Sequence, residues 1–590
     1  MDDIRFSHRL CTLVIALPMA TIVLFHVYLT GLGVTLNQVV TFWIPILILG
    51  LLSFYGTLTS NSRFPLILIL VFSFVLHMVQ FVRQPPEMVW NNDAIFGLQI
   101  VEHVSETGRW DFGYGTGSAL SYSFYPLFYI SQSIFATISG IPPVLIVKYS
   151  MAVLNLLTLL TFYIVIRRLL DLDIKATNLI TLMFSLNPMF HLFNSYFHAE
   201  SYAIIFFPLV LMFLLKNESS QPSRRSIGIM GIVILATISM AHPFTSYIVA
   251  ISAIPIIVLY FRSKKFASKM QLCLLTLILP SVWLMFIAST ILSSHLLTLE
   301  KLLIRLVHLH IEFIPTPTAG SAYYPSEFLF ALGWLRNVVL LLFGVLGLRY
   351  TLLKKKDNPI YSYFVVALLV FSTLTFLSLF GGIWGEEAYN RTRFLEFSYF
   401  PIAIFIALGI ISVLQSDVFK NRLRQKPLKL LIILALLVIL VPSTIVNALA
   451  TFNYDPTYSS SSCDEVLVAP EQQYALGLWV RANVNSSGAS VLTGSGDYVA
   501  HRYVIGYGQF EGPFYPDLFN VTLIGKPLPY LTRYTLYYVV NIHNLQLPDT
   551  LGRKLSESDL QFLEANLNKI YNNDAASLYQ TFDKTSSNNG

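Results

Sequence analysis

The 590 residues are 55% hydrophobic and 12% charged, against about a quarter charged in soluble domains, which excludes a water-soluble globule. The net charge of +6 does not point to nucleic acid, because Lys and Arg fall in short clusters between apolar runs rather than along one face. Three cysteines, with Cys11 and Cys273 inside apolar runs, give no basis for a disulfide framework.

The apolar runs are therefore read as membrane spans, each needing ~20 residues for a ~30 Å hydrocarbon core. The polar stretch Met1 to Arg9 leads into a first span without a cleavage site, so that span is expected to be retained. Thirteen spans are predicted. The first seven run Leu10 to Thr30, Val39 to Tyr55, Phe64 to Val82, Val144 to Ile166, Ala176 to Phe190, Ser201 to Leu215 and Ile227 to Ala241. The last six run Thr245 to Phe261, Leu272 to Leu292, Phe328 to Leu348, Tyr361 to Phe380, Phe394 to Leu414 and Leu428 to Ala448. The break at Ala241-His242-Pro243 separates the seventh from the eighth, with His242 read as a turn residue whose imidazole is satisfied.

With the N-terminus inside, 22 Lys and Arg residues fall on the inner side and six in outer loops. The six are Arg83, Arg109, Lys301, Arg305, Arg391 and Arg393. Letting Tyr122 to Ile138 cross would destroy this asymmetry, so that stretch is predicted to lie along the outer surface as an interfacial helix. Thirteen crossings leave the tail from Leu449 outside, and its composition there becomes that of a soluble domain. A transmembrane domain over 1–448, with an outer loop over 83–143, is thus followed by an extracytoplasmic domain over 449–590. In the tail, Glu471 to Val484 has helical spacing, and Ala489 to Leu492 and Tyr534 to Ile542 read as strands. Ser556 with Asp559 predicts a helix through Lys569, so the tail is expected to be a small α/β domain.

Ionisable groups concentrate on the outer face, where they cost least and mark a site. The first large loop holds Asp93, Glu102, Glu106, Arg109 and Asp111, the next His191, His198 and Glu200, and a later one Glu386, Glu387, Arg391 and Arg393. Asp93 opens a probable helix, and Tyr122-Ser123-Phe124-Tyr125-Pro126-Leu127 opens the surface helix. This order resembles the first outer loop of the GT-C superfamily, membrane glycosyltransferases that use polyprenyl-phosphate sugars. Asn187-Pro188 through His198-Ala199-Glu200 resembles that superfamily's helix pair joined by a short outer loop ending in an acid. Arg393-Phe394-Leu395 with Pro401 resembles its late helix beginning with an Arg beside the donor phosphate. Tyr474 to Tyr503 resembles the outer domain of oligosaccharyltransferase catalytic subunits. Two departures stand out. Asp93 is followed by Ala94 where many members have a second acid, and Gly494-Ser495-Gly496-Asp497-Tyr498 stands where oligosaccharyltransferases have Trp-Trp-Asp.

The resemblance implies a GT-C-like all-α polytopic membrane bundle and a donor of polyprenyl-phosphate sugar, hexosyl or pentosyl, with a glycan, lipid or protein acceptor. Dolichyl phosphate and an archaeal setting follow from the same branch. An acceptor hydroxyl needs a base, for which Asp93 is the candidate, with Glu102, Asp111 and Glu200 as possible supporting acids. A leaving phosphate needs fixed cations, for which Arg393, Arg391 and Arg336 are the candidates. Opposite-face attack with one carboxylate predicts inversion. The plainer readings are a solvated acid for Asp93 and snorkelling to headgroups for the arginines. Arg336 would snorkel, stand at the interface of a span that starts later, or bind phosphate. A monophosphate donor needs no cofactor, whereas His198, Glu200 and Asp93 form a candidate Mg²⁺ or Mn²⁺ site for a diphosphate donor. Three other readings stay open. They are an oligosaccharyltransferase-like enzyme with a lipid diphosphate donor, a transporter or flippase of lipid-linked sugars, and a scaffold.

Overall fold

The computed structural model describes residues 44–82, 92–112, 123–187, 197–215, 223–261, 266–289, 327–355, 358–377 and 389–415, with short pieces elsewhere. These residues are mostly helical. The first seven helices are α1 (Ile44–Thr59), α2 (Phe64–Val82), α3 (Asn92–Thr107), α4 (Pro126–Ser139), α5 (Pro143–Leu170), α6 (Ile174–Ser185) and α7 (Ala199–Ala203). A 3-10 turn, Ile204–Phe206, joins α7 to α8 (Phe207–Leu215). Then come α9 (Ser223–Ala241), α10 (Pro243–Ile251), α11 (Ile254–Tyr260), α12 (Phe266–Phe286), α13 (Glu327–Lys354), α14 (Pro359–Leu377) and α15 (Tyr389–Gln415).

Five stretches are long and apolar enough to cross a membrane: Pro143–Leu170, Pro243–Tyr260, Leu335–Lys354, Pro359–Phe376 and Phe394–Gln415. Shorter apolar helices cover Ile44–Thr59, Phe64–Met78, Ala199–Leu215, Gly228–Ala241 and Cys273–Phe286. Each predicted span from Val39 to Leu414 thus meets a helix. The first predicted span lies outside the described residues, and of the thirteenth only Leu440 lies within them.

The chain divides into two compact units. One comprises Met1–Arg83 and Tyr149–Asn453, the other Gln84–Lys148 and Tyr454–Gly590. The segment Gln84–Lys148 and the tail therefore fall in one unit.

In the first unit α6 is buried all round from Ala176 to Ser185, the pattern of a helix enclosed by others. Asp173 caps it by accepting the Ala176 N–H at 2.7 Å, and the Asn178 amide donates to the Ser62 carbonyl in the α1–α2 turn at 2.9 Å. Phe162, Phe184, Phe207, Phe397 and Phe400 pack around it with ring centroids 4.5–6.3 Å apart. Such offset and edge-to-face pairs contribute about 0.5–1.5 kcal/mol each beyond area burial. Helices α13 and α15 form the most extensive pair in this unit.

In the second unit both loop helices stop at glycines in the left-handed region, Gly108 (φ 66°) after α3 and Gly140 (φ 67°) after α4. Only glycine adopts this conformation freely. The Gly108 N–H reaches the Val104 carbonyl and the Gly140 N–H that of Ala136, both at 2.9 Å. Helix α4 begins with Pro126 at its first position, where a missing N–H costs nothing. It packs on α3, with the Ser133 hydroxyl donating to the Val101 carbonyl at 3.3 Å. Phe128, Tyr129, Gln132, Ser133 and Ala136 form its buried face, while Ile134, Phe135 and Ile138 are exposed. The expected surface helix is thus a helix with two distinct faces.

The tail contains β1 (Ala489–Leu492), β2 (Phe514–Tyr515), β3 (Thr535–Asn541), β4 (Leu567–Asn572) and β5 (Ala576–Thr581), in the order β2-β1-β3-β5-β4. β1 runs parallel to β2 and β3, while β5 is antiparallel to β3 and β4, with Val491 opposite Tyr537 and Tyr538 opposite Tyr579. Leu476 and Trp479 are helical, in line with the spacing from Glu471. The helix expected through Lys569 is corrected: Gln561, Glu564 and Ala565 are helical, but Lys569 lies in β4. Pairing with β5, opposite Tyr579, overrides a local capping signal that marks a start and not an end.

Candidate active site

Asp93 falls in the first turn of α3, where the partial positive charge of a helix N-terminus favours a carboxylate. Glu102 is half-buried on the same helix, nine residues further on. At 100° and 1.5 Å per residue its position is roughly half a turn around and 13 Å along the axis. The two acids therefore serve different surroundings.

Asp111 is already engaged. Its Oδ1 accepts from Arg109 Nε at 2.7 Å and its Oδ2 lies 3.0 Å from His103 Nε2. The His103 hydrogen bond, with Arg109 beside it, holds the Asp111 carboxyl below the usual carboxylate value. A carboxylate so stabilised is a weaker base, and its geometry is that of a staple closing the turn after α3. Trp110, Phe112 and Phe124 continue the turn with centroid spacings of 6.4 Å.

In the first unit His198, Glu200 and His242 converge, all three buried, with one potential ligand atom from each lying within 4.8 Å of the others. Local structure explains the positions. His198 caps α7, its Nδ1 accepting from the Glu200 N–H at 3.2 Å. His242 caps α10, its Nδ1 accepting from the Thr245 N–H at 3.3 Å, with Pro243 at the first helical position. The rings meet edge to face, centroids 5.3 Å apart. Thr245 Oγ1 lies 3.1 Å from His242 Nδ1, and Glu200 Oε2 lies 3.8 Å from His198 Nδ1, beyond hydrogen-bond distance. With Nδ1 accepting in both caps, a neutral ring carries its proton on Nε2, and an Nε2 ligand would require giving up the cap hydrogen bond. The sequence correctly gave His242 a turn role, and its meeting with His198 required the fold.

Arg391 and Arg393 fall in the first turns of α15. Glu396, three residues on, is 1% exposed, and Arg336 on α13 is 3% exposed. Arg336 lies well inside α13, which begins at Glu327, but only one residue into the apolar stretch Leu335–Lys354. Its Nε and Nη2 donate to Asn337 Oδ1 at 3.3 and 3.0 Å, and it lies within electrostatic range of Tyr399 on α15. Glu396 was missed because an apolar run hides one acid; its place in Arg393-Phe394-Leu395-Glu396 was the available signal.

Solved structures share this architecture. The oligosaccharyltransferase of Archaeoglobus fulgidus, in complex with Zn and sulfate, matches with a TM-score of 0.52 at 14% identity, covering 87% of this chain and 73% of that one. ArnT from Cupriavidus metallidurans in the apo state matches with a TM-score of 0.51 at 11% identity, covering 88% of this chain and 98% of that one. The chain has the GT-C fold. With its long apolar helices, this makes it a multi-pass membrane protein. No protein-family model matches the sequence, and no curated protein matches it significantly.

Proposed function

We propose that this chain is an inverting glycosyltransferase that moves a sugar from a polyprenyl-phosphate donor to an acceptor on the outer face of the membrane. The fold match, spanning 88% of this chain and 98% of ArnT, is the observation that carries this reading. Asp93 is the base that takes the acceptor proton as the new C–O bond forms, and Arg393 with Arg391 stabilises the departing phosphate. A positioned base contributes about 10²–10⁴-fold to rate, and preorganised cations act where charge develops. Arg336, buried on α13, is a further phosphate ligand. Glu102 and Asp111 keep the loop in shape, consistent with the staple at Asp111.

A second reading, a lipid diphosphate donor with a divalent cation, is favoured by one observation, the convergence of His198, Glu200 and His242. Two imidazoles and a carboxylate fit Zn²⁺ or Mn²⁺ better than Mg²⁺. Such an ion would neutralise phosphate charge. His242 brings a third ligand atom beside those of His198 and Glu200. Incubating membranes with labelled polyprenyl-phosphate and polyprenyl-diphosphate sugars in parallel, each with and without EDTA, tests both readings. Transfer that survives EDTA but not Asp93→Asn supports the first, and transfer lost to EDTA and restored by Zn²⁺ or Mn²⁺ supports the second. Equal transfer by the native chain and Asp93→Asn removes the catalytic assignment.

A further inference from the structure

A cavity of about 590 Å³ opens at the far ends of the helices that begin at the two histidines. It is lined by Leu215 at the end of α8, Tyr260 at the end of α11, Lys354 at the end of α13 with Lys355 after it, and Asn358, Pro359 and Ile360 where α14 begins. The chain runs 17 residues from His198 to Leu215 and 18 from His242 to Tyr260. At 1.5 Å per residue this is roughly 26 Å, about one hydrocarbon thickness. The cavity therefore lies a membrane's thickness from the His198–Glu200–His242 cluster, at the end that the charge asymmetry assigns to the cytoplasm.

Its lining has two parts. One is cationic: among the described lining residues it has two ammonium groups and no acid, beside the N-terminus of the 19-residue α14 with its partial positive charge. Asn358 Oδ1 fixes that N-terminus by accepting the Ile360 N–H at 3.0 Å, and Lys355 Nζ is held 5.8 Å from the centre of the Tyr361 ring. The other part is apolar, with Leu215, Pro359, Ile360 and the ring of Tyr260. A plainer reading makes Lys354 a cation compensating the C-terminus of its own helix. That reading explains neither the second lysine held in the turn nor the concavity between three chain ends.

We propose that this cavity binds the phosphate of an anionic phospholipid, with the headgroup between Lys354 and Lys355 and the upper acyl chain against Leu215 and Ile360. Basic pockets between transmembrane helices on the cytoplasmic side bind anionic headgroups, and the apolar wall selects an amphiphile over a soluble phosphate. The proposal does not depend on the reaction at the other face.

The test uses the full chain in phosphatidylcholine nanodiscs with and without phosphatidylglycerol, read by native mass spectrometry and thermal unfolding. The native chain retains phosphatidylglycerol and its Tm rises with it. The double variant Lys354→Gln/Lys355→Gln loses roughly 30-fold in retention, the order expected for two surface cations, and loses the Tm rise. Its Tm in pure phosphatidylcholine equals that of the native chain, which separates lost binding from lost folding. Arg167→Gln/Arg168→Gln, a change of equal charge in the last turn of α5 and outside the cavity lining, keeps both responses. Loss of both responses in that control, or their retention in the first variant, overturns the proposal. An equal Tm rise from glycerol 3-phosphate in phosphatidylcholine discs overturns the lipid assignment.

Discussion

A β-carbon on Gly347 would stand 2.8 Å from the backbone nitrogen of Gly409, and one on Gly409 would stand 3.0 Å from that of Gly347. The added carbons would also overlap the carbonyl oxygens of Phe405 and Phe343. The two backbones touch here, so α13, carrying Arg336, and α15, carrying Arg393, cross without a side chain between them. Gly409→Leu forces them apart, and overpacking of this kind costs at least about 1–3 kcal/mol. Thermal unfolding in detergent is expected to show a lowered Tm together with reduced transfer. Gly344→Ala, where the new carbon lies 3.8 Å from Ile406 Cγ1, leaves both unchanged.

Asp93→Asn is expected to lower transfer by about 10²–10⁴-fold, the usual contribution of a base, with little change in donor binding. Glu102→Gln, on the opposite side of α3 and about 13 Å along its axis, lowers it by less than about tenfold. Steady-state rates with labelled donor compare them, and equal losses would make the first turn of α3 unremarkable.

Glu200→Gln removes the charged ligand of the His198–Glu200–His242 cluster. Under the diphosphate reading, metal analysis of purified protein finds Zn²⁺ or Mn²⁺ in the native chain and none in this variant. His242→Asn keeps a capping side chain for α10 while removing a nitrogen ligand, so it separates metal loss from helix fraying. Retention of α10 hydrogen-exchange protection with loss of metal is the expected pair of results.

The Asp111 staple has a pH dependence of determinate sign. Its carboxyl is held below its usual value, chiefly by His103. Its contribution is therefore fully present above about pH 4, the unfolded carboxyl value, and lost as pH falls through the lower folded one. Hydrogen exchange of residues 103–111, corrected for intrinsic rates, should rise below about pH 4 in the native chain. Asp111→Asn should show that faster exchange already at neutral pH.

Orientation is testable in a host that N-glycosylates. Asn485 and Asn520 in the tail are expected to accept glycan and Asn217 is not. Modification at Asn217 would reverse the topology.

Several boundaries were legible because hydropathy and breakers act locally. The span starting at Phe64, the Ala241-His242-Pro243 break and the strand Ala489–Leu492 all fall where the sequence places them. The burial of Arg336 was not legible, since depth along a span can be counted but the helix face it occupies depends on α15. The meeting of His198 and His242 joins residues 44 apart, and β4 took its shape from β5. In each case the missing information was a partner distant in sequence.

The two faces of α4 bear on how deep the donor must be presented. One face is packed on α3, and the other turns out Ile134, Phe135 and Ile138, the last 81% exposed. With that outward face seated in the headgroup region, as the sequence predicts for this stretch, α4 rides on the lipid and α3 rides on α4. The elevation of Asp93 above the hydrocarbon is then set by the membrane surface itself.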